Sequence, residues 1–100
     1  MDSYSILAGC EGFQWDKGNT LKNWLKHNVT QGEAEEVFIN EPLLFFEDEK
    51  HSNNEKRVLA FGRTNAGRLL VASFTIRGRL IRVISARDMN KKEKNAYKKT

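Results

Sequence analysis

Apolar and polar positions change rhythm near the middle of the chain. Early on they recur at helical spacing, and later they alternate as strands do. Phe13 and Trp15 flank Gln14, which predicts a short strand. Asp16 is placed to cap a helix running to about His27, with Leu21, Trp24 and Leu25 on one face. Gly18 and Asn19 weaken its first turn, and Asn28 suits a left-handed end. Thr30 and Glu33 have capping-box spacing and open a second helix, with Ala34, Val37 and Phe38 facing inward. Asn40 and Pro42 stop it.

From Leu43 the pattern turns to strands. Leu43–Phe46 is a short apolar run, and a polar loop follows at His51–Asn54. Arg57–Thr64, Arg68–Arg77 and Arg79–Arg87 are β-rich, separated by Asn65-Ala66-Gly67 and by Gly78. Asn90 and Glu93 then cap a lysine-rich helix through Tyr97. The order predicts an α+β domain: a short N-terminal strand and two helices packed on an antiparallel sheet of about four strands, then a C-terminal helix. Residues 1–12 read as an N-terminal arm, and 13–100 as a single domain.

A two-residue loop at Gly78 would set Leu70, Ala72, Phe74 and Ile76 on one apolar face with Ile81 and Val83. Ser73, Thr75, Arg77 and Arg82 then share the other face with Leu80 and Ile84. Hydroxyls and arginines over an apolar floor fit a shallow RNA-binding groove. They also fit an ordinary half-exposed sheet.

The chain has 100 residues, 39% hydrophobic and 30% charged, which suits one small folded domain. Its apolar runs are too short to cross a membrane. The first dozen residues lack a basic leader, so no signal peptide is expected. A lone Cys10 excludes an internal disulfide and fits the cytoplasm. The formal charge is +4, but it is segregated. Residues 1–56 carry a net of −6, residues 57–100 a net of +10, and every arginine lies in the second part. Arginine binds phosphate oxygens in a fork, so a polyanion such as nucleic acid is the simplest partner. A solvated basic surface would give the same counts.

Residue chemistry narrows the classes further. His27 and His51 lack paired cysteines, so no metal or other cofactor is expected, and there is no phosphate-binding glycine loop. A Cys10–His nucleophile pair would need Cys10 in the least structured segment. Acid–base chemistry on RNA is better supplied. His51 and Glu55 could move protons, and Arg57, Arg77, Arg82 or Arg87 could stabilise a phosphorane. Tyr97 could serve the leaving oxygen if the last helix folds over the sheet. His27 reads better as a cation at a helix end, while His51 reads equally as loop surface. Both tryptophans are expected in the core.

The ordered set Phe13-Gln14-Trp15-Asp16, Asn23, Lys26-His27, Val29, Glu33-Ala34, Val37-Phe38, Asp48, His51-Ser52, Glu55-x-Arg57, Gly62, Gly67-Arg68, Thr75-x-Arg77, Arg82-x-Ile84-Ser85-Ala86-Arg87, Glu93 and Tyr97 resembles the BrnT family of bacterial type II toxins. The resemblance spans about residues 13–98. It implies a RelE-like fold and a metal-independent endoribonuclease that blocks translation by 2′-hydroxyl attack, leaving a 2′,3′-cyclic phosphate. Matching positions joined to chemical plausibility give candidate catalytic roles to His51, Glu55, Arg57, Arg77, Arg82 and Tyr97, and RNA-phosphate contacts to Arg68, Arg87, Lys91 and Lys92. The resemblance also implies a BrnA-like ribbon-helix-helix antitoxin, forming a heterotetramer and reaching operator DNA through that antitoxin. Asn19, Asn28 and Gln31 depart from the family, which often has lysine, glycine and an aromatic there. The alternative is an inactive homologue retained as an antitoxin-binding module.

Overall fold

The hairpin at Gly78 organises the domain. In the computed structural model, which describes residues 6–51 and 55–100, Gly78 takes φ 61 and Arg77 pairs with Leu80. The two-residue loop therefore forms as the sequence predicts, with glycine where a positive φ is required. Around it lies a five-stranded sheet of order β1-β5-β4-β3-β2. The strands are β1 (Gly12–Gln14), β2 (Leu44–Glu47), β3 (Val58–Arg63), β4 (Leu69–Arg77) and β5 (Leu80–Asp88). The helices are α1 (Lys17–His27), α2 (Gln31–Val37) and α3 (Lys91–Lys98). All neighbours are antiparallel except β1, which runs parallel to β5 through Gly12–Leu80, Phe13–Ile81 and Gln14–Arg82.

Register settles which side chains share a face. Phe74 pairs with Val83 and Ser73 with Ser85, so a bulge between them adds one residue to β5. The bulge restores Ala86 to the same buried face as Ala72, Phe74 and Val83. That face packs on Val29, Ala34, Val37 and Phe38 to form the main core. Phe38 makes edge contacts with Phe13 and Phe74. A second, smaller cluster on the opposite face joins Val71, Met89 and Tyr97 to Leu44, Leu59 and Phe61. The close approach of α2 to the sheet depends on Gly62, where a Cβ would stand 2.9 Å from the Val37 carbonyl.

The predicted caps form. Asp16 accepts the Gly18 N–H, Asn28 takes φ 55, and both Thr30–Glu33 and Asn90–Glu93 close reciprocal capping boxes. Two expectations need correction. The described part of the N-terminal arm is not loose: Ile6, Leu7 and Cys10 pack on the main core, and the Glu11 N–H bonds the Arg79 carbonyl. More consequentially, α1 is turned with its polar side inward. Asn23 is its buried residue, while Leu21, Trp24 and Leu25 are exposed. Trp15 does pack on the core, donating its indole N–H to Glu35.

The rotation of α1 has a physical cause. β1 covers β5 only as far as Arg82, so the rest of that strand edge is left for the helix. Asn23 Oδ1 accepts the Ala86 N–H at 3.2 Å. A buried peptide donor left unpaired would cost about 1–3 kcal/mol. Asn23 thus satisfies that donor, while its own Nδ2 stays buried without a partner among the described residues.

Candidate RNA-cleaving site

The face of β4 and β5 opposite the main core carries the arginines. Thr75 pairs with Arg82 across the hairpin, which places Arg77 as its diagonal neighbour about 7–8 Å away at Cα. Thr75 also donates its hydroxyl to the Lys56 carbonyl, fixing the segment that enters β3 against β4. Glu55, on that segment, meets Arg77 fork to fork: Nε–Oε2 is 2.9 Å and Nη2–Oε1 is 2.6 Å. On the other side, the Arg82 side chain is 19% exposed and its Nη2 lies 3.4 Å from Asp16 Oδ2. Loop, hairpin and helix cap thus bring Glu55, Arg77, Arg82 and Asp16 to one end of the sheet.

Electrostatics ties these groups together. The hydrogen bonds from Arg77 hold the Glu55 carboxyl below the usual range, and the charges of Arg77, Arg82 and Arg57 act in the same direction. Glu55 raises the Arg77 pKa in return. Asp16 is lowered first by the Gly18 N–H and then by Arg82. Glu55 is therefore ionised at neutral pH, in the state a proton acceptor requires. The cluster sets permanent cations beside an ionised carboxylate that Arg77 already engages through both oxygens, groups of the kind that attack at a phosphodiester uses.

Of the other sequence-predicted residues, Arg57 acts on Glu55 by its charge, while Arg68, Arg87, Lys91, Lys92 and Tyr97 lie elsewhere. His51 ends a 3₁₀ turn, Glu49–His51, and its side chain lies outside the described residues. Arg87 is five residues along β5 from Arg82, roughly 16 Å at strand rise. It grips Glu93 at the start of α3, with Nη1–Oε1 2.8 Å and Nη2–Oε2 3.0 Å. Lys91 and Lys92 are exposed on that same first turn, so they form a second basic region with Arg87. Tyr97 belongs to the smaller core, and its hydroxyl donates to the Pro42 carbonyl. Burial raises the Tyr97 pKa, keeping that donor protonated. The structure thus separates Tyr97 from the Glu55–Arg77–Arg82 cluster by most of the length of β4.

Arg68 is the largest departure from expectation. Its Nε and Nη2 bind Asp88 at 2.8 and 3.0 Å, and Nη1 binds Glu33 at 3.1 Å. Nη1 and Nη2 also donate to the carbonyls of Asn28 and His27 at 2.8 and 2.9 Å. All five guanidinium donors are thereby spent within the protein, capping α1 and joining it to α2 and β5. Arg68 has none left for a phosphate. Asp16 is the site residue that the sequence did not reveal, because its contact with Arg82 depends on the parallel β1–β5 pairing. Among the described residues, no cluster of three His, Cys, Asp or Glu side chains could hold a metal.

Comparison with known proteins agrees with this architecture. Residues 15–93 match the model of a family described as the ribonuclease toxin BrnT of type II toxin–antitoxin systems. The crystal structure of the Brucella abortus ribonuclease toxin BrnT superposes with a TM-score of 0.61 at 21% identity, covering 80% of this chain and 97% of that one. No curated protein matches the sequence.

Proposed function

The chain belongs to the BrnT family of type II ribonuclease toxins, and from that premise we propose that it cuts RNA at the Glu55–Arg77–Arg82 cluster. The observation that carries this reading is the fork of Arg77 on an ionised Glu55 beside Arg82. In the proposed reaction the ribose 2′-oxygen attacks the adjacent phosphorus and the 5′-oxygen leaves, giving a 2′,3′-cyclic phosphate. Glu55 takes the 2′-hydroxyl proton, and His51, the other acid–base candidate of the sequence, returns one to the 5′-oxygen. Arg57, Arg77 and Arg82 balance the charge that builds on the phosphorane, a task that needs no metal. Arg87, Lys91 and Lys92 hold phosphates farther along the strand.

Membership of a toxin–antitoxin family implies an antitoxin partner. The proposed one is a BrnA-like ribbon-helix-helix protein, forming a heterotetramer that reaches operator DNA through the antitoxin. Among the described residues no helix is long and apolar enough to cross a membrane, and an RNA substrate sets the proposed site of action in the cytoplasm. A second reading, an inactive antitoxin-binding homologue, draws support from the occupation of Arg77 by Glu55. One experiment separates the two: controlled expression while following growth and mapping RNA 5′ ends, with and without antitoxin. Growth arrest and new ends, both reversed by the antitoxin, establish the ribonuclease. Normal growth with no new ends from folded protein establishes the binding module.

A further inference from the structure

Helix α1 carries an apolar stripe that the other described residues do not cover. Leu21, Trp24 and Leu25 are 57%, 49% and 72% exposed and share one face at i, i+3 and i+4. Thr20, Asn23 and His27 turn inward instead. Two anchors fix that rotation: Asn23 holds the Ala86 N–H, and Arg68 holds the His27 and Asn28 carbonyls. Rolling the helix to bury the stripe would break both. The outward stripe is therefore built into the fold, and such a patch marks an interaction surface.

The surrounding charge identifies what covers it. Lys17 stands one turn before Leu21 in line with the stripe, Lys22 and Lys26 flank it, and all three are exposed. No carboxylate occurs in Lys17–His27. A second copy of this chain would set lysines against lysines across a two-fold contact. A nucleic-acid backbone offers nothing apolar to cover three hydrophobic side chains. We propose that α1 docks an acidic amphipathic segment of the antitoxin, with Trp24 as the central anchor and the lysines pairing its carboxylates. The proposal rests on the toxin–antitoxin reading. The occupied helix adjoins the cutting cluster, because its cap Asp16 holds Arg82.

The test titrates the purified chain with the antitoxin encoded alongside it. Trp24→Ala, and separately Leu21→Ser with Leu25→Ser, each weaken binding by about thirtyfold, the scale of an interface hot spot. Lys22→Glu with Lys26→Glu weakens binding several-fold, most at low salt. Trp24 emission moves to the blue on binding, and Trp24→Phe removes that shift. These positions are exposed, so circular dichroism and RNA cleavage stay as in the parent chain. Unchanged affinity in the apolar variants overturns the proposal. So does a homodimer that Trp24→Ala dissolves, or binding to phosphatidylglycerol vesicles that it abolishes, when antitoxin affinity is unaltered. A parent chain that cuts no RNA yet binds the antitoxin through Trp24 sinks the enzyme reading and keeps this one.

Discussion

Glu55 and Arg77 face each other as two planar forks, with both hydrogen bonds at 2.9 Å or less, where β4 ends and the chain enters β3. The pair orients Glu55 and keeps it ionised, but it also offers RNA a guanidinium that already has a partner. As the proton acceptor, Glu55 should be worth about a hundred- to ten-thousandfold in rate. Glu55→Gln keeps the shape and is expected to lose that factor in single-turnover cleavage with unchanged thermal stability. A faster enzyme would instead make Glu55 a competitor for the phosphate.

Arg77→Ala and Arg82→Ala are each expected to reduce cleavage by about a hundred- to a thousandfold, or ~2.7–4 kcal/mol of transition-state stabilisation. Growth arrest should disappear with the new RNA ends. A fully toxic double variant would remove both residues from the mechanism.

Arg68→Ala should fail differently. It leaves Glu33 and Asp88 without their shared cation and uncaps α1, and we expect about 2 kcal/mol lost in urea unfolding. The pH dependence supplies a second check. Arg68 hydrogen bonds lower Asp88, and Arg68 also lowers Glu33 after the larger effect of the Thr30 N–H, from ordinary values of 3.8 and 4.5. Depressed carboxylates stabilise the fold above their unfolded pKa and lose that contribution as pH falls through the folded values. The parent chain should therefore lose more stability than Arg68→Ala between about pH 5 and pH 2.

Tyr97→Phe removes a hydroxyl committed to the Pro42 carbonyl. The expected cost is about 1 kcal/mol in stability, with the cleavage rate intact. A collapse of cleavage without destabilisation would return Tyr97 to the chemistry.

Much of the fold was legible because its signals are local. The two capping boxes, the left-handed Asn28 and the Gly78 loop each rest on a few adjacent residues, and each formed. The shared face of Thr75, Arg77 and Arg82 followed from strand parity once that loop was fixed. The sidedness of α1 was not legible. Its periodicity showed an amphipathic helix, but periodicity cannot say that the open edge of β5 would claim Asn23. The internal contacts of Arg68 were not legible for a related reason: forked contacts suit a phosphate and a protein carboxylate equally, and Glu33 and Asp88 lie far from it in sequence.

The segregation of charge along the chain is undone in three dimensions. Arg68, Arg77, Arg79, Arg82 and Arg87 each hold a carboxylate: Glu33 with Asp88, then Glu55, Glu11, Asp16 and Glu93. Most of those carboxylates come from the acidic half. An RNA that engages Arg77, Arg79, Arg82 or Arg87 must displace an internal counterion, in addition to shedding the cations that sheathe its own backbone. A displaced carboxylate stays tethered and gains nothing from dilution, so arginine contacts won this way are dearer than contacts to bare lysines. Affinity should then fall with salt along a log–log line set mainly by exposed lysines such as Lys91 and Lys92, and their removal should flatten it by about 0.7 per contact for single-stranded RNA.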